Sequence, residues 1–241
     1  MRKISNRVLL AAAAVIVLAL LFSAFYLKEA AMNPGKPGAP EYVHTGPVTN
    51  LAIPQGAFDG IWLVGMWDVG VRYGKTVTGA VTVPLKYAGR VNASIGREGL
   101  MLVSGVDGKE KSEPPHAEIV LPEFRHLTAN GPADLRVEGF TNANLSVAAK
   151  QGLRLRGKGN VWSNLILNST AYLDADLSEN VAMNAGFTLK GLSGVKIRIG
   201  GGRFFFDAEG ITRLEWTGKA SDRQISGKGI FSENDPDGHK F

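Results

Sequence analysis

The sequence predicts an all-β protein: a parallel β-helix-like solenoid ectodomain preceded by one N-terminal transmembrane helix. Three observations predict it. The chain opens with 20 uncharged residues, Val8–Leu27. Beyond Phe58 the apolar residues alternate in short runs instead of following helical spacing. In the C-terminal half, apolar residues eight apart recur at intervals of 16–20 residues.

The elements follow in chain order. Arg2, Lys3 and Arg7 make residues 1–7 a basic head. The 20 residues 8–27 form a helix of about 30 Å, the thickness of a hydrocarbon core. Three positive charges before the run and one after it place the N-terminus in the cytoplasm and the rest outside. A cleaved signal peptide fits less well, because its apolar region is shorter and ends in a small-x-small site. Here Phe22 stands three residues before a cut after Ala24. The expectation is an uncleaved signal anchor in the inner membrane, with a periplasmic or extracellular ectodomain. Residues 28–57 carry prolines at 34, 37, 40, 47 and 54, which disfavour helix and central strand and give an extended tether.

Residues 58–230 read as strands. Ile61–Val64, Asp68–Tyr73, Val81–Val83 and Leu100–Val103 are short apolar runs bounded by turn residues. Leu127/Leu135, Leu145/Leu153, Leu165/Leu173 and Val181/Leu189 form four copies of one unit, starting 18, 20 and 16 residues apart. Weaker copies begin at Val195 and Ile211. Each copy is too small to bury its own side chains, and stacking buries them in one continuous ladder. In register, Glu138–Arg156–Asp176 and Arg154–Asp174–Lys190 alternate in sign, each contact contributing a few tenths of a kcal/mol. That register requires Arg156 and Asp176 on neighbouring coils. Residues 231–241 are a polar tail.

Phe58-Asp59-Gly60-Ile61, Val64-Gly65 and Asp68-Val69-Gly70-Val71 resemble the opening of the family named putative auto-transporter adhesin, head GIN domain. Arg156-Gly157-Lys158-Gly159 and Ser226-Gly227-Lys228-Gly229 resemble the glycine-rich strand ends of that family's C-terminal half. The likeness spans roughly Phe58 to Gly229. It implies an all-β stack in a bacterial envelope or surface protein and brings no catalytic motif. The chain departs from the pattern at Lys158 and Lys228, in its Phe204-Phe205-Phe206 run, and in lacking a cysteine to acylate.

Candidate chemistry is sparse. The absence of cysteine excludes disulfides and thiolate sites. Asp174 and Asp176 share a strand face, as in carboxylate pairs that bind calcium or cleave polysaccharide, but the arginine ladder already accounts for them. His44, His116, His126 and His239 have no metal spacing, so they read as solvated or locally bonded. Asn92, Asn144 and Asn168 match the N-glycosylation pattern, a modification that the bacterial resemblance disfavours. No catalytic, metal or cofactor site is expected.

The interaction surface expected is the basic group Lys150, Arg154, Arg156 and Lys158, together with Phe204, Phe205 and Phe206. Alternation sends at least one of those rings outward, toward an oligomer contact or partner, unless Ile211–Trp216 caps it. The chain has 27 basic and 22 acidic side chains, net +5; residues 1–32 hold four basic and one acidic, leaving net +2. Most of the excess orients the membrane segment, so nucleic acid is not an expected partner.

The function expected is a membrane-anchored structural or adhesin-like interaction module of the cell envelope, not an enzyme, meeting an envelope protein, an anionic glycan or a second copy. The alternatives are a carbohydrate-active β-helix enzyme using Asp174 and Asp176, and an envelope sensor. With only about seven cytoplasmic residues, a sensor needs a partner membrane protein.

Overall fold

A computed structural model describes residues 46–106 and 113–234. The expected basic head, transmembrane helix and most of the tether lie outside the described residues. No helix among the described residues is long and apolar enough to cross a membrane. The described chain is almost entirely strand: β1 (Val48–Ala52), β2 (Gly60–Val64), β3 (Trp67–Tyr73), β4 (Thr78–Pro84), β5 (Val91–Gly96), β6 (Gly99–Ser104), β7 (His116–Leu121) and β8 (His126–Asn130). Then come β9 (Ala133–Glu138), β10 (Thr141–Ala149), β11 (Leu153–Lys158), β12 (Val161–Ser169), β13 (Leu173–Gly200), β14 (Arg203–Lys219) and β15 (Asp222–Asn234).

These strands stack as eight coils, each contributing one segment to each of two walls. In stacking order the coils are β6/β7, β2/β3, β8/β9, β10/β11, β12 with residues 173–178, residues 181–200, β14, and β15. Stacking order and chain order differ at the start. The chain forms the second coil first, turns outward through β4 and β5 to form the first, and then returns to the third. Coil β2/β3 is therefore clamped between β6/β7 and β8/β9.

Alternation explains the packing, because residues two apart share a face. Inward residues of one wall form a ladder through every coil: Leu100, Ile61, Leu127, Val147, Leu167, Phe187, Phe206 and Ile225. In the other wall Ala117, Val69, Leu135, Leu155 and Ala175 do the same. From Leu127 onward the repeat is 20 residues three times and then 19 twice. The all-β solenoid expected from the sequence is observed.

Its register is observed only in part. Leu145 faces Leu165 and Leu153 faces Leu173, as the spacing predicts. Leu135, however, faces Leu155, and Leu165 faces Ala185 rather than Val181. A slip of two keeps every side chain on its face, so leucines alone do not select the register.

Buried asparagines do select it. The Asn160 side chain donates to Asn180 Oδ1 (2.7 Å) and to the Val137 carbonyl (2.8 Å), and accepts from the Phe140 amide (3.0 Å). The Asn160 amide donates to Asn180 Oδ1 at 3.0 Å. These directional bonds hold at one stacking alone. A second, exposed ladder joins Asn144, Asn164 and Asn184 at 2.7 and 3.1 Å. At the opposite corner Gly191, Gly210 and Gly229 stack with φ of 95°, 120° and 101°. A Cβ on Gly210 would lie 2.3 Å from the Gly191 carbonyl oxygen, so only glycine fits this close approach.

The two ends differ from expectation. β1 lies within the expected tether, pairs antiparallel with β4, and is followed by Ile53 in the core. Ile211–Trp216 is not the cap: it is an internal segment of β14, and β15 lies beyond it and runs on to Asn234.

Candidate functional site

Each wall presents a flat outer face, and alternation decides what it carries. One face is charged. In stacking order its rows read His116/Glu118, Asp68/Arg72, Asp134/Arg136/Glu138, Arg154/Arg156/Lys158 and Asp174/Asp176. Lys196/Arg198 and Arg213/Glu215 continue it on the later coils.

The charged face is anchored by one buried carboxylate. Asp68 is only 1% exposed. Its Oδ2 lies 2.8 Å from His116 Nδ1, and its Oδ1 accepts from Arg136 Nη1 at 2.8 Å. His116 Nε2 lies 3.0 Å from Glu118 Oε1, and Arg136 also approaches Glu118 at 3.7 Å. Between them Gly70 leaves the room: a Cβ there would stand 2.4 Å from Glu118 Oε1. Burial alone pushes the Asp68 carboxyl up, but the His116 hydrogen bond and the Arg136 guanidinium together outweigh it and hold the carboxyl below its ordinary value. The hydrogen bonds to Asp68 and then Glu118 raise His116 to about 9. Its ring is therefore an imidazolium at neutral pH. Both nitrogens are donors to carboxylates, and neither is open to accept a proton.

The clamped second coil explains how these residues meet. Asp68 comes from β3, His116 and Glu118 from β7, and Arg136 from β9, strands that are neighbours only because β3 sits between the other two. His116 is thus paired across 48 residues as well as with its near neighbour Glu118, instead of solvated. No sequence motif marks the cluster.

The predicted basic group divides. Arg156 donates to Asp174 Oδ2 at 2.8 Å, while Arg154 lies 3.3 Å from Asp134 and 3.7 Å from Asp174. Arg156 and Asp176 are register partners on neighbouring coils, as expected. Glu138, by contrast, stands opposite Lys158, and Lys190 stands opposite Glu209. Burial raises the Asp134 carboxyl above its ordinary value, with Arg154 opposing. Asp176 accepts from the Ser178 hydroxyl at 2.7 Å. The carboxylates that a glycosidase reading would need are engaged with arginines and a serine. The described residues hold no cluster of three or more potential metal ligands. Lys150 is exposed at the turn after β10, and Lys158 is exposed at the end of β11.

The phenylalanine run is resolved by burial. Phe204 and Phe206 are 1% and 0% exposed and pack with Phe187 in the core, so they are withdrawn from the expected surface. Phe205 faces outward at 39% exposure, opposite Gly186, which in turn lies opposite Ile166. Around these positions the second outer face is mostly neutral, carrying Asn144, Asn164, Asn184, Ser146, Asn168 and Thr188.

The fold has known counterparts. A structure titled "putative adhesin" from Bacteroides fragilis is similar over 78% of this chain and 97% of its own, with 12% identity and a TM-score of 0.58. A "putative adhesin" from Parabacteroides merdae shares 14% identity over 79% of this chain and 97% of its own, with a TM-score of 0.42. A "putative lipid binding protein" from Parabacteroides distasonis shares 12% over 79% and 98%, with a TM-score of 0.48. No family model and no curated protein matches the chain. The first similarity establishes a shared fold.

Proposed function

We propose that the chain is an adhesin-like interaction module of a bacterial cell envelope, of the kind that the GIN-domain resemblance implies. Residues 8–27 anchor it in the inner membrane, the proline-rich stretch spaces it from the surface, and the solenoid displays two flat faces outside. The observation that carries this reading is the two-walled solenoid itself, whose charged outer face is ion-paired along its length. Each of these cations neutralises a neighbour on the same wall, so the face is a mosaic rather than a cationic trough. Such a surface recognises a partner by matching its pattern of charges and hydrogen-bonding groups. The Bacteroides fragilis counterpart, named a "putative adhesin", points the same way.

Two measurements test the reading. Protease added outside intact spheroplasts should remove the solenoid from the full-length chain; complete protection would overturn the orientation. Full-length chain in detergent micelles should bind immobilised envelope polysaccharide or envelope protein without changing it. Depolymerisation of the polysaccharide that is lost in Asp174→Asn would replace the reading with the enzymatic one.

A further inference from the structure

The two ends of the solenoid are finished differently. At the first coil, short antiparallel strands close the walls: β5 on β6, and β4 then β1 on β7. A 3-10 turn, Leu85–Arg90, lays Tyr87 on the core, and Pro47 and Pro54 flank β1. Short strands and prolines blunt an edge against further pairing. At the last coil nothing comparable is built. Among the described residues β15 pairs only with β14, which leaves the outer row of its backbone groups without a strand partner.

Three further observations converge on that edge. Trp216 and Phe206 are fully buried beneath β15, yet Ile225 and Phe231, its own inward residues, are only partly covered. Leu192, Ile211 and Ile230 stack in register as an apolar ridge along one corner, and their exposure rises toward the edge, at 38%, 49% and 67%. Arg223 and Glu233, ten residues apart on β15, lie ion-paired over Trp216, with Glu233 accepting from Trp216 Nε1 at 3.0 Å. Ser221, Asp222, Arg223, Ile225 and Glu233 line an open concavity there.

We propose that this edge is the seat of a second copy of the chain, in a two-fold end-to-end dimer through β15. The occupant must present two strand segments meeting at a corner, because β15 bends at Gly229, whose φ is 101°. Another β15 has that shape. The opposite end of a second copy does not, since its outer strands are five and six residues long and come from separate parts of the chain. A two-fold axis inverts one β15 against the other. The Arg223 end of each then meets the Glu233 end of its partner, so the charges are complementary. Ile230, near the corner, comes to lie near the axis and is covered.

The absence of native cysteine gives a clean test in the full-length chain. In a two-fold contact a residue near the axis meets itself, so one introduced thiol suffices. Under mild oxidation Ile230→Cys should form a disulfide-linked dimer, while Ile166→Cys, on the neutral face, should not. By light scattering the unmodified chain should have the mass of two copies, with association weakened about tenfold or more by Ile230→Lys at unchanged far-ultraviolet circular dichroism. Equal cross-linking at both positions, or a monomeric unmodified chain, would overturn the proposal. A chain that dimerises only when residues 235–241 are removed would also overturn it, by showing that the tail covers the edge.

Discussion

Replacing His116 by glutamine should remove a pH-dependent part of the stability that is set by one buried contact. The imidazolium is clasped by Asp68 and Glu118; its side chain is 14% exposed and that of Asp68 1%, so solvent screens that pair little. Its value rises from 6.5 to about 9 on folding. A shift of that size corresponds to about 3 kcal/mol. The sign follows from proton binding. The folded state holds the proton more tightly, so the contribution is complete below pH 6.5 and is lost as pH rises through about 9. Asp68 and Glu118 are both lowered, so their contributions are lost only on acidification and stay constant across this window. Urea unfolding should be followed by tryptophan fluorescence near pH 6 and near pH 10, with Trp67 beside Asp68 as a local reporter. Between those limits the wild-type chain should lose about 3 kcal/mol more than His116→Gln, while groups common to both cancel. Parallel pH profiles for the two chains would refute the reasoning.

Three other substitutions test two corners and one wall position. Gly210→Val forces a side chain toward the Gly191 carbonyl at a φ of 120° and should cost about 2 kcal/mol or more in thermal unfolding. Gly186→Ala, where a Cβ meets nothing within 4 Å, should stay within about 0.5 kcal/mol of wild type or gain slightly. Asn160→Ala strips the Phe140 amide and the Val137 carbonyl of their side-chain partner and should cost about 3 kcal/mol by urea titration. An Asn160→Ala chain as stable as wild type would mean that the leucine ladder alone holds the register.

The sequence shows the solenoid because alternation and a repeat near 20 residues are local, additive signals. Leu145/Leu165 and Leu153/Leu173 are legible for that reason. Leu135 is misread because leucine contacts are non-directional, and a two-residue slip conserves burial. Asparagines at 20-residue intervals, 144/164/184 and 160/180, are the visible signal that fixes the stacking. Outward Phe205 follows from alternation once Phe204 and Phe206 are core. The Asp68 cluster is not legible at all. It depends on β3 being inserted between β7 and β9, a crossing that no local pattern encodes.

That same crossing gives the molecule a direction. By forming the second coil before the first, the chain closes its entry end with β1, β4 and β5, and locks the clamped coil by ion pairs that span all three neighbouring strands. The remaining coils then add one after another, ending on an edge that no described strand pairs with. Seven steps of about 4.8 Å separate the closed end from the open one by about 34 Å. β1, the first described strand, lies on the closed end. The edge best able to pair lies farthest along the stack from β1. Joining two such edges end to end leaves both outer faces of each copy uncovered. Self-association through β15 and recognition through the walls are therefore compatible in one assembly, and the dimer would double the number of coils that a partner meets.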